Sequence, residues 1–281
     1  MKVSVITINY NNASGLQKTM ESVMNQTSFD FEYIVVDGAS KDGSLEVIQK
    51  FESLKKDIKM RWISEADKGI YDAMNKGILL AKGEYIQFLN SSDSFVNETV
   101  VERMLKELKV KSEKNAVQIL YGNMIKQLPD RIFRDRCFNG EEITLLGMYT
   151  ATLNHSPVLI KRILFDQFGL YDDKLKVVSD WKWYTQVIIH GGVKPEYVDI
   201  DVINFDMTGI SSTNLDLTNR EKKQEMYKIF PETILKDYER WAFHIDQIKR
   251  LQRHKWAYGC VWILERFLFK IEKWINKGEK I

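Results

Sequence analysis

Along the first 120 residues, short runs of β-branched and other apolar residues alternate with stretches whose apolar positions recur every three or four residues. The run at 3–9 predicts a buried strand, and Leu16, Met20, Val23 and Met24 predict a helix over 13–25. Further strands are predicted at 33–37, 60–64, 85–89 and 116–121, with helices at 44–51, 70–81 and 100–108 between them. The helix at 70–81 carries Ile70, Ala73, Met74, Gly77, Ile78 and Ala81 on one stripe. Strands alternating with helices predict an α/β fold with a mostly parallel sheet covered on both faces. Ligands of such sheets bind beyond the carboxyl ends of the strands, so the polar segments 9–12, 37–42 and 90–93 carry the most weight.

Residues 121–217 are less regular: a basic loop with Arg131, Arg134 and Arg136, a strand or loop through His155, a helix over 180–189, and an alternating strand from Tyr197. From 218 onward the pattern is helical throughout, with no repeat and no low-complexity linker. The expected organisation is a domain over 1–217, with halves 1–120 and 121–217, and an amphipathic helical region over 218–281 that packs on it.

Composition narrows the class. With 281 residues, 44% hydrophobic and 28% charged, the chain can bury a core, and four prolines and fifteen glycines exclude a disordered or collagen-like chain. Cys137 and Cys260 lack the spacing of a disulfide framework or a cysteine zinc site. No apolar run reaches bilayer length and the start of the chain lacks a leader's basic and apolar regions, so a cytoplasmic location is expected. Charge is uneven: from Lys249 onward nine Lys or Arg face three Glu, a net of +6, leaving 32 basic and 36 acidic residues before it. A basic tail on a near-neutral body points to an acidic partner.

Several residues carry candidate chemistry. Asp37 ends an apolar strand and opens Asp-Gly-Ala-Ser-Lys-Asp-Gly-Ser, where the glycines permit a tight turn and Ser40 or Asp42 can cap the next helix. This is either an ordinary strand-to-helix turn or a carboxylate placed to accept from a base or ribose. Asp93, after Leu89-Asn-Ser-Ser, is positioned to bind a divalent cation, or to form a helix N-cap with Ser92 and Ser94. Lys76 or the helix start at 67–69 can attract phosphate, the alternative being a solvated helix face. Asp199-Ile-Asp201 alternates with Val198, Ile200 and Val202, which predicts solvent-facing carboxylates on a half-buried strand rather than a metal site. Arg131, Arg134 and Arg136 form a solvated loop or meet an acceptor phosphate.

The segments Ser4-Val-Ile-Thr-Ile-Asn-Tyr-Asn11, Val36-Asp-Gly-Ala-Ser-Lys-Asp-Gly-Ser44, Glu65-Ala-Asp-Lys-Gly-Ile-Tyr-Asp-Ala-Met-Asn-Lys-Gly77 and Gly83-Glu-Tyr-Ile-Gln-Phe-Leu-Asn-Ser-Ser-Asp93 resemble, in order, the motifs of glycosyltransferase family 2. Its members are inverting enzymes with the GT-A fold, of the type that builds bacterial cell-surface glycans. The resemblance implies that Thr7, Asn9 and Asp37 hold the nucleoside of a nucleotide-sugar donor, most often uridine. It implies that Asp67, with Lys68, Gly69 and Asn75 of the same motif, lies by the base or sugar. It makes Asp93 the metal-binding end of the family's Asp-x-Asp motif, with Mn2+ or Mg2+ as cofactor. Here the chain departs from the pattern, reading Asn90-Ser-Ser-Asp93. Asn90 can still meet a ribose hydroxyl or a metal-bound water, but the missing carboxylate predicts weaker cation affinity.

Val177-Val-Ser-Asp-Trp-Lys-Trp-Tyr184 resembles the family's second acidic motif, which makes Asp180 the catalytic base, with Ser179 as N-cap. The chemistry requires such a base, since an acceptor hydroxyl loses its proton as it attacks the anomeric carbon. His155 matches a position near the acceptor, and Gly209-Ile-Ser211 one that forms a lid over the donor. The implied activity is inverting sugar transfer to a glycan or lipid-linked glycan hydroxyl. Alternatives are a degenerate GT-A scaffold that binds without turnover, and a nucleotidyltransferase, whose basic glycine-rich phosphate loop is not found at 7–12.

The stretch 256–277 sets Cys260, Ile263, Leu264, Phe267, Leu268, Ile271, Trp274 and Ile275 on one helical stripe opposite Glu265, Arg266, Lys270, Glu272, Lys273 and Lys277. Such a helix lies in a membrane interface, packs on the body, or pairs with a second copy as a homo-oligomer. The resemblance favours the inner face of a cell membrane. Nucleic acid is not expected as a partner, because the body is acidic and carries no recognised binding motif.

Overall fold

The computed structural model describes residues 2–54, 57–128, 130–252 and 254–278. They form two compact units, 1–225 and 226–281.

The first unit opens with β1 (Val3–Asn9), α1 (Ala13–Met24), β2 (Phe31–Asp37), α2 (Ser44–Ser53), β3 (Lys59–Ser64), α3 (Ile70–Leu80) and β4 (Tyr85–Phe88). Every residue of β1 and β2 is buried, which is why both read as continuous apolar runs: each is covered on both faces. Leu16, Met20 and Val23 of α1 join Val3, Val5 and Val35 in the core, each such side chain contributing roughly 1.5–3 kcal/mol through burial. α3 approaches β1 so closely that a Cβ on Gly77 would lie 2.5 Å from Ile6, hence the glycine.

β5 (Ser94–Phe95), α4 (Val100–Ser112), β6 (Ile119–Gln127), β7 (Ile132–Asp135), α5 (Leu145–Thr150), β8 (Val158–Lys161) and α6 (Ile163–Phe168) follow. α7 (Ser179–Thr185) continues as a π-helical turn, Gln186–His190, before β9 (Glu196–Phe205), α8 (Ile210–Thr213) and α9 (Leu215–Ile229). The sheet runs β3-β2-β1-β4-β8-β6-β9-β5, with β7 paired to β6 off this path. The β3-β2-β1-β4 half is parallel, as the strand–helix alternation requires. β8 then enters antiparallel between β4 and β6, so the whole sheet is mixed.

Three local expectations change. Ser92, Asp93 and Ser94 do not cap the following helix: Thr99 precedes α4, while Ser94 and Phe95 pair with Asn204 and Ile203 of β9. Ser179 is the first residue of α7, not its N-cap, which is Val178. The first unit runs beyond 217, through Glu225, because α9 is tied to it: Glu221 accepts from the Lys176 and Val177 amides and Glu225 pairs with Lys182 at 2.8 Å.

The second unit holds the rest of α9, then α10 (Glu232–Gln252) and α11 (Lys255–Gly278), which pack on each other. Proline 231 stops α9, since its ring cannot continue the helix. No described helix is long and apolar enough to cross a membrane.

Candidate active site

The register of the parallel strands assembles the first part of the site. Asn9 pairs with Asp37 across β1 and β2, and Asp37 with Ser64 across β2 and β3, so three strand ends place their last side chains side by side. Asp37 Oδ1 accepts from Asn9 Nδ2 (2.9 Å) and Ser40 Oγ (2.6 Å), and Oδ2 from the Ser40 amide (3.0 Å) and Ser64 Oγ (2.7 Å). Burial pushes the carboxyl up, but these hydrogen bonds outweigh it and hold Asp37 below the usual carboxylate range. Asn9 Oδ1 is buried with no protein partner, so this cluster has an acceptor to spare.

Beyond it, Asp67 and the exposed Tyr10 ring flank Gly38, where a Cβ would lie 2.4 Å from Asp67 Oδ2 and 3.0 Å from Tyr10 Cδ2. Asp67 Oδ1 accepts from the Gly69 amide, and the exposed Lys68 donates its own amide to Asp72. Asn9, Asp37, Asp67, Lys68 and Gly69 thus share one edge of the sheet. Thr7 does not join them: it is fully buried, accepting from Tyr33 and donating to the Leu89 carbonyl inside the core.

Asn12 leads from that edge to the second part of the site. Its side chain caps α1 through the Gly15 amide and donates to Ser92 Oγ at 2.9 Å. Here a cleft of about 620 Å3 opens, with Asn90, Asp93, His155, Asp180, Tyr71 and Lys222 among its walls, and Gly209 to Ser212 at its rim. A chain of hydrogen bonds crosses its floor. Asn90 Nδ2 meets His155 Nε2 at 3.1 Å, His155 Nδ1 meets Asp180 Oδ2 at 3.0 Å, and the Tyr71 hydroxyl donates to Asp180 Oδ1 at 2.8 Å. A histidine that donates from Nδ1 to Asp180 accepts at Nε2 from Asn90, leaving the buried Asn90 Oδ1 without a partner.

Burial opposes charge on Asp180, yet the hydrogen bond and charge of His155, with the Tyr71 hydroxyl, hold its carboxyl below the ordinary range. Burial also works against a charged His155, and Asp180 outweighs it, raising the imidazole above its usual value. Asp180 lies in the first turn of α7, where the helix dipole favours an anion. Asp93 is different: burial pushes it up to about 6, only partly offset by the Asp206 amide and Ser156 Oγ that its two oxygens accept from.

Other assignments move. Asn75 spends both ends of its amide on the Tyr171 backbone, so it braces the loop before α7 and does not face a donor. Lys76 is occupied by the Ala66 carbonyl, Glu65 and Asp72, and stiffens the 65–72 loop instead of awaiting phosphate. Asp199 and Asp201 pair with Arg134 and Asn123, which removes Arg134 from the acceptor candidates as well. Among the described residues no group of three or more His, Cys, Asp and Glu is arranged to hold a metal ion. Tyr71, Ser156, Asp206 and Lys222 were not singled out from the sequence. Tyr71 sits at the edge of an apolar helical stripe, and nothing in spacing alone marks it as a carboxylate's partner.

A mixed sheet of this order, with polar clusters beyond its carboxyl edge, defines the GT-A class of α/β folds. The family model described as "Glycosyl transferase family 2" matches residues 4–168, and the chain belongs to that family. It is 27% identical over 217 residues to a PGL/p-HBAD biosynthesis glycosyltransferase of Mycobacterium bovis, covering 76% of this chain and 80% of that one. An uncharacterized glycosyltransferase of Mycobacterium tuberculosis is 32% identical over 213 residues, covering 75% and 77%. In fold it is similar to Staphylococcus aureus TarS 1-349 in complex with UDP-GlcNAc (TM-score 0.60, 21% identity, 76% of this chain and 61% of that). It is likewise similar to the mannosyltransferase PcManGT of Pyrobaculum calidifontis with GDP-Man and Mn2+ (TM-score 0.55, 19% identity, 70% and 55%). The chain spans only 36% of the longer TarS chain.

Proposed function

We propose that this glycosyltransferase moves a sugar from a nucleoside diphosphate, uridine diphosphate first among candidates, to a hydroxyl of a glycan or lipid-linked glycan, with inversion. The observation that carries this reading is Asp180: a carboxylate kept ionised on the floor of a cleft by His155 and Tyr71. An acceptor hydroxyl entering the cleft gives its proton to Asp180 as it attacks the anomeric carbon from the face opposite the diphosphate. His155 donates to the carboxylate and holds it in place, and Asn90 holds His155. Asn9, Asp37 and Asp67 form the nucleoside edge, with Tyr10 as a face for the base.

Asp93 and Asn90 suit a hard divalent cation. Each Asp93 oxygen keeps lone pairs beyond those used by Ser156 and Asp206, and Asn90 Oδ1 is buried and unpartnered. One carboxylate and one amide oxygen match an ion that draws its other ligands from phosphate and water. Bound there, Mn2+ or Mg2+ supplies charge neutralisation for the departing diphosphate. A second reading, a scaffold that binds without turnover, draws on Asn90 standing where the family has an acid.

α11 supports a peripheral membrane partner. Ile263, Leu264, Phe267 and Leu268 are each at least half exposed on one stripe, and Arg266, Lys270 and Lys273 lie on the opposite face with Trp262, whose ring Arg266 covers. Self-association through the same helix is the competing occupant.

Thermal shift with UDP, GDP, TDP or CMP, each with Mn2+, Mg2+ or EDTA, tests the donor reading. Stabilisation by one nucleotide that EDTA removes, and that Asp93→Ala removes without unfolding the protein, is the expected result. No shift with any nucleotide would favour the scaffold.

A further inference from the structure

Half-buried cations in the first unit are matched by carboxylates: Lys76 by Glu65, Lys126 by Asp135, and Lys182 by Asp172 and Glu225. Lys222 is the exception on the cleft wall. Its Nζ donates to the Ala151 carbonyl at 2.9 Å and lies 5.1 Å from the centre of the Trp181 ring, and it forms no ion pair among the described residues.

This placement is built. Trp181 is fixed by its indole N–H on the Met148 carbonyl at 2.7 Å. α9 is held by Glu221, which accepts from the amides of Lys176 and Val177, and the next residue, Lys222, lines the cleft. A half-buried ammonium whose direct partners are a carbonyl and a ring face has no counter-charge within ion-pair distance among the described residues. Burial pushes Lys222 down to about 8, with Asp180 the group that partly restores it. Asp180, the base of the proposed transfer, lines the same cleft as Lys222.

We propose that Lys222 forms an anion subsite in the cleft, which receives a phosphate or carboxylate carried by the acceptor close to the hydroxyl that attacks. The proposal rests on the cleft being the transfer site and adds the acceptor's class to that reading. A neutral glycan leaves Lys222 without a counter-ion, whereas an acidic sugar or a phosphate-bearing acceptor supplies two or more oxygens for its remaining N–H groups. The donor diphosphate offers the same chemistry, and the experiment separates the two.

Glycerol 1-phosphate and glucuronate are titrated calorimetrically into the full chain against their neutral counterparts, glycerol and glucose, at constant ionic strength, with and without saturating UDP and Mn2+. The anionic probes bind in both conditions and the neutral ones do not. Lys222→Gln weakens the anionic probes roughly tenfold, the size of a lost charge-assisted hydrogen bond, while Lys222→Arg retains them and the UDP affinity is unchanged. Equal binding of charged and neutral probes, or full binding by Lys222→Gln, overturns the subsite. Anion binding that disappears once UDP is saturating assigns it to the donor diphosphate, which also overturns it. A failure of UDP itself to bind is a failure of the donor reading, and loss of the anionic probes by Lys222→Gln but not by Lys222→Arg still decides whether Lys222 holds the anion.

Discussion

Replacing Tyr71 by Phe removes one oxygen and keeps the ring that packs against Tyr171, 5.7 Å centre to centre. The lost hydroxyl donates to Asp180 Oδ1 at 2.8 Å and lies 2.6 Å from the Val177 carbonyl. A hydrogen bond to a charged group contributes roughly 1.5–3 kcal/mol. The ionised form of Asp180 therefore loses about that much relative to the protonated form, and its pKa rises. The sign for stability follows from linkage. In the native protein Asp180 sits below the ordinary carboxylate value, so its contribution is present above about pH 4 and is lost as pH falls through the folded pKa. In Tyr71→Phe that contribution shrinks and is lost at a higher pH. Melting temperature against pH is expected to show acid unfolding displaced upward, and the acid limb of the pH–rate profile to move the same way, with UDP affinity unchanged. Superimposable profiles for wild type and variant would show that the hydroxyl does not hold the carboxylate and refute the argument.

Asp37→Asn turned one way sets an N–H against the Ser40 amide, and turned the other way requires Asn9 to flip its own amide so that Oδ1 accepts; either way the charged acceptor is lost. A loss of roughly 1–3 kcal/mol, read from denaturant unfolding, is expected, and a fold of unchanged stability counts against the four-bond cluster. Gly38→Ala drives a methyl toward Asp67 Oδ2, 2.4 Å away, and is expected to cut UDP affinity by calorimetry while leaving the melting temperature nearly untouched, because the carboxylate can swing outward. Phe267→Glu with Leu264→Glu on α11 is expected to abolish co-sedimentation with phosphatidylglycerol vesicles, which salt also weakens; a shift in oligomeric mass with no vesicle binding by the native chain would favour self-association instead.

What the sequence made legible was what local pattern encodes. β1 and β2 are apolar without interruption because both faces are covered, and α1 and α3 carry their core stripes openly. β5 is two residues long and exists through pairing with β9, and β7 is an edge strand with exposed Ile132 and Phe133; neither leaves a periodic signal. The antiparallel entry of β8 is a matter of topology, which alternation of elements does not encode. In the site, Asp37 and Asp93 stand out by ending or following apolar strands and His155 and Asp180 by motif resemblance, and the structure adds what joins the last two. Polar residues on helices are the least legible: Asn75 and Lys76 look free in sequence, yet their partners lie on the Tyr171 backbone and in the 65–72 loop. Lys222 is hidden for the converse reason, since a lysine on a charged helix carries no mark of facing a cleft.

Asp180→Asn tests the central claim most directly. The amide keeps the size of the carboxylate but cannot take a proton from the acceptor. Release of nucleotide from a set of UDP-sugars, transfer to water included, is expected to fall by roughly 10²–10⁴-fold, with the UDP and Mn2+ thermal shift retained. Turnover at the wild-type rate in a variant that binds UDP normally would contradict the assignment of Asp180 as the base.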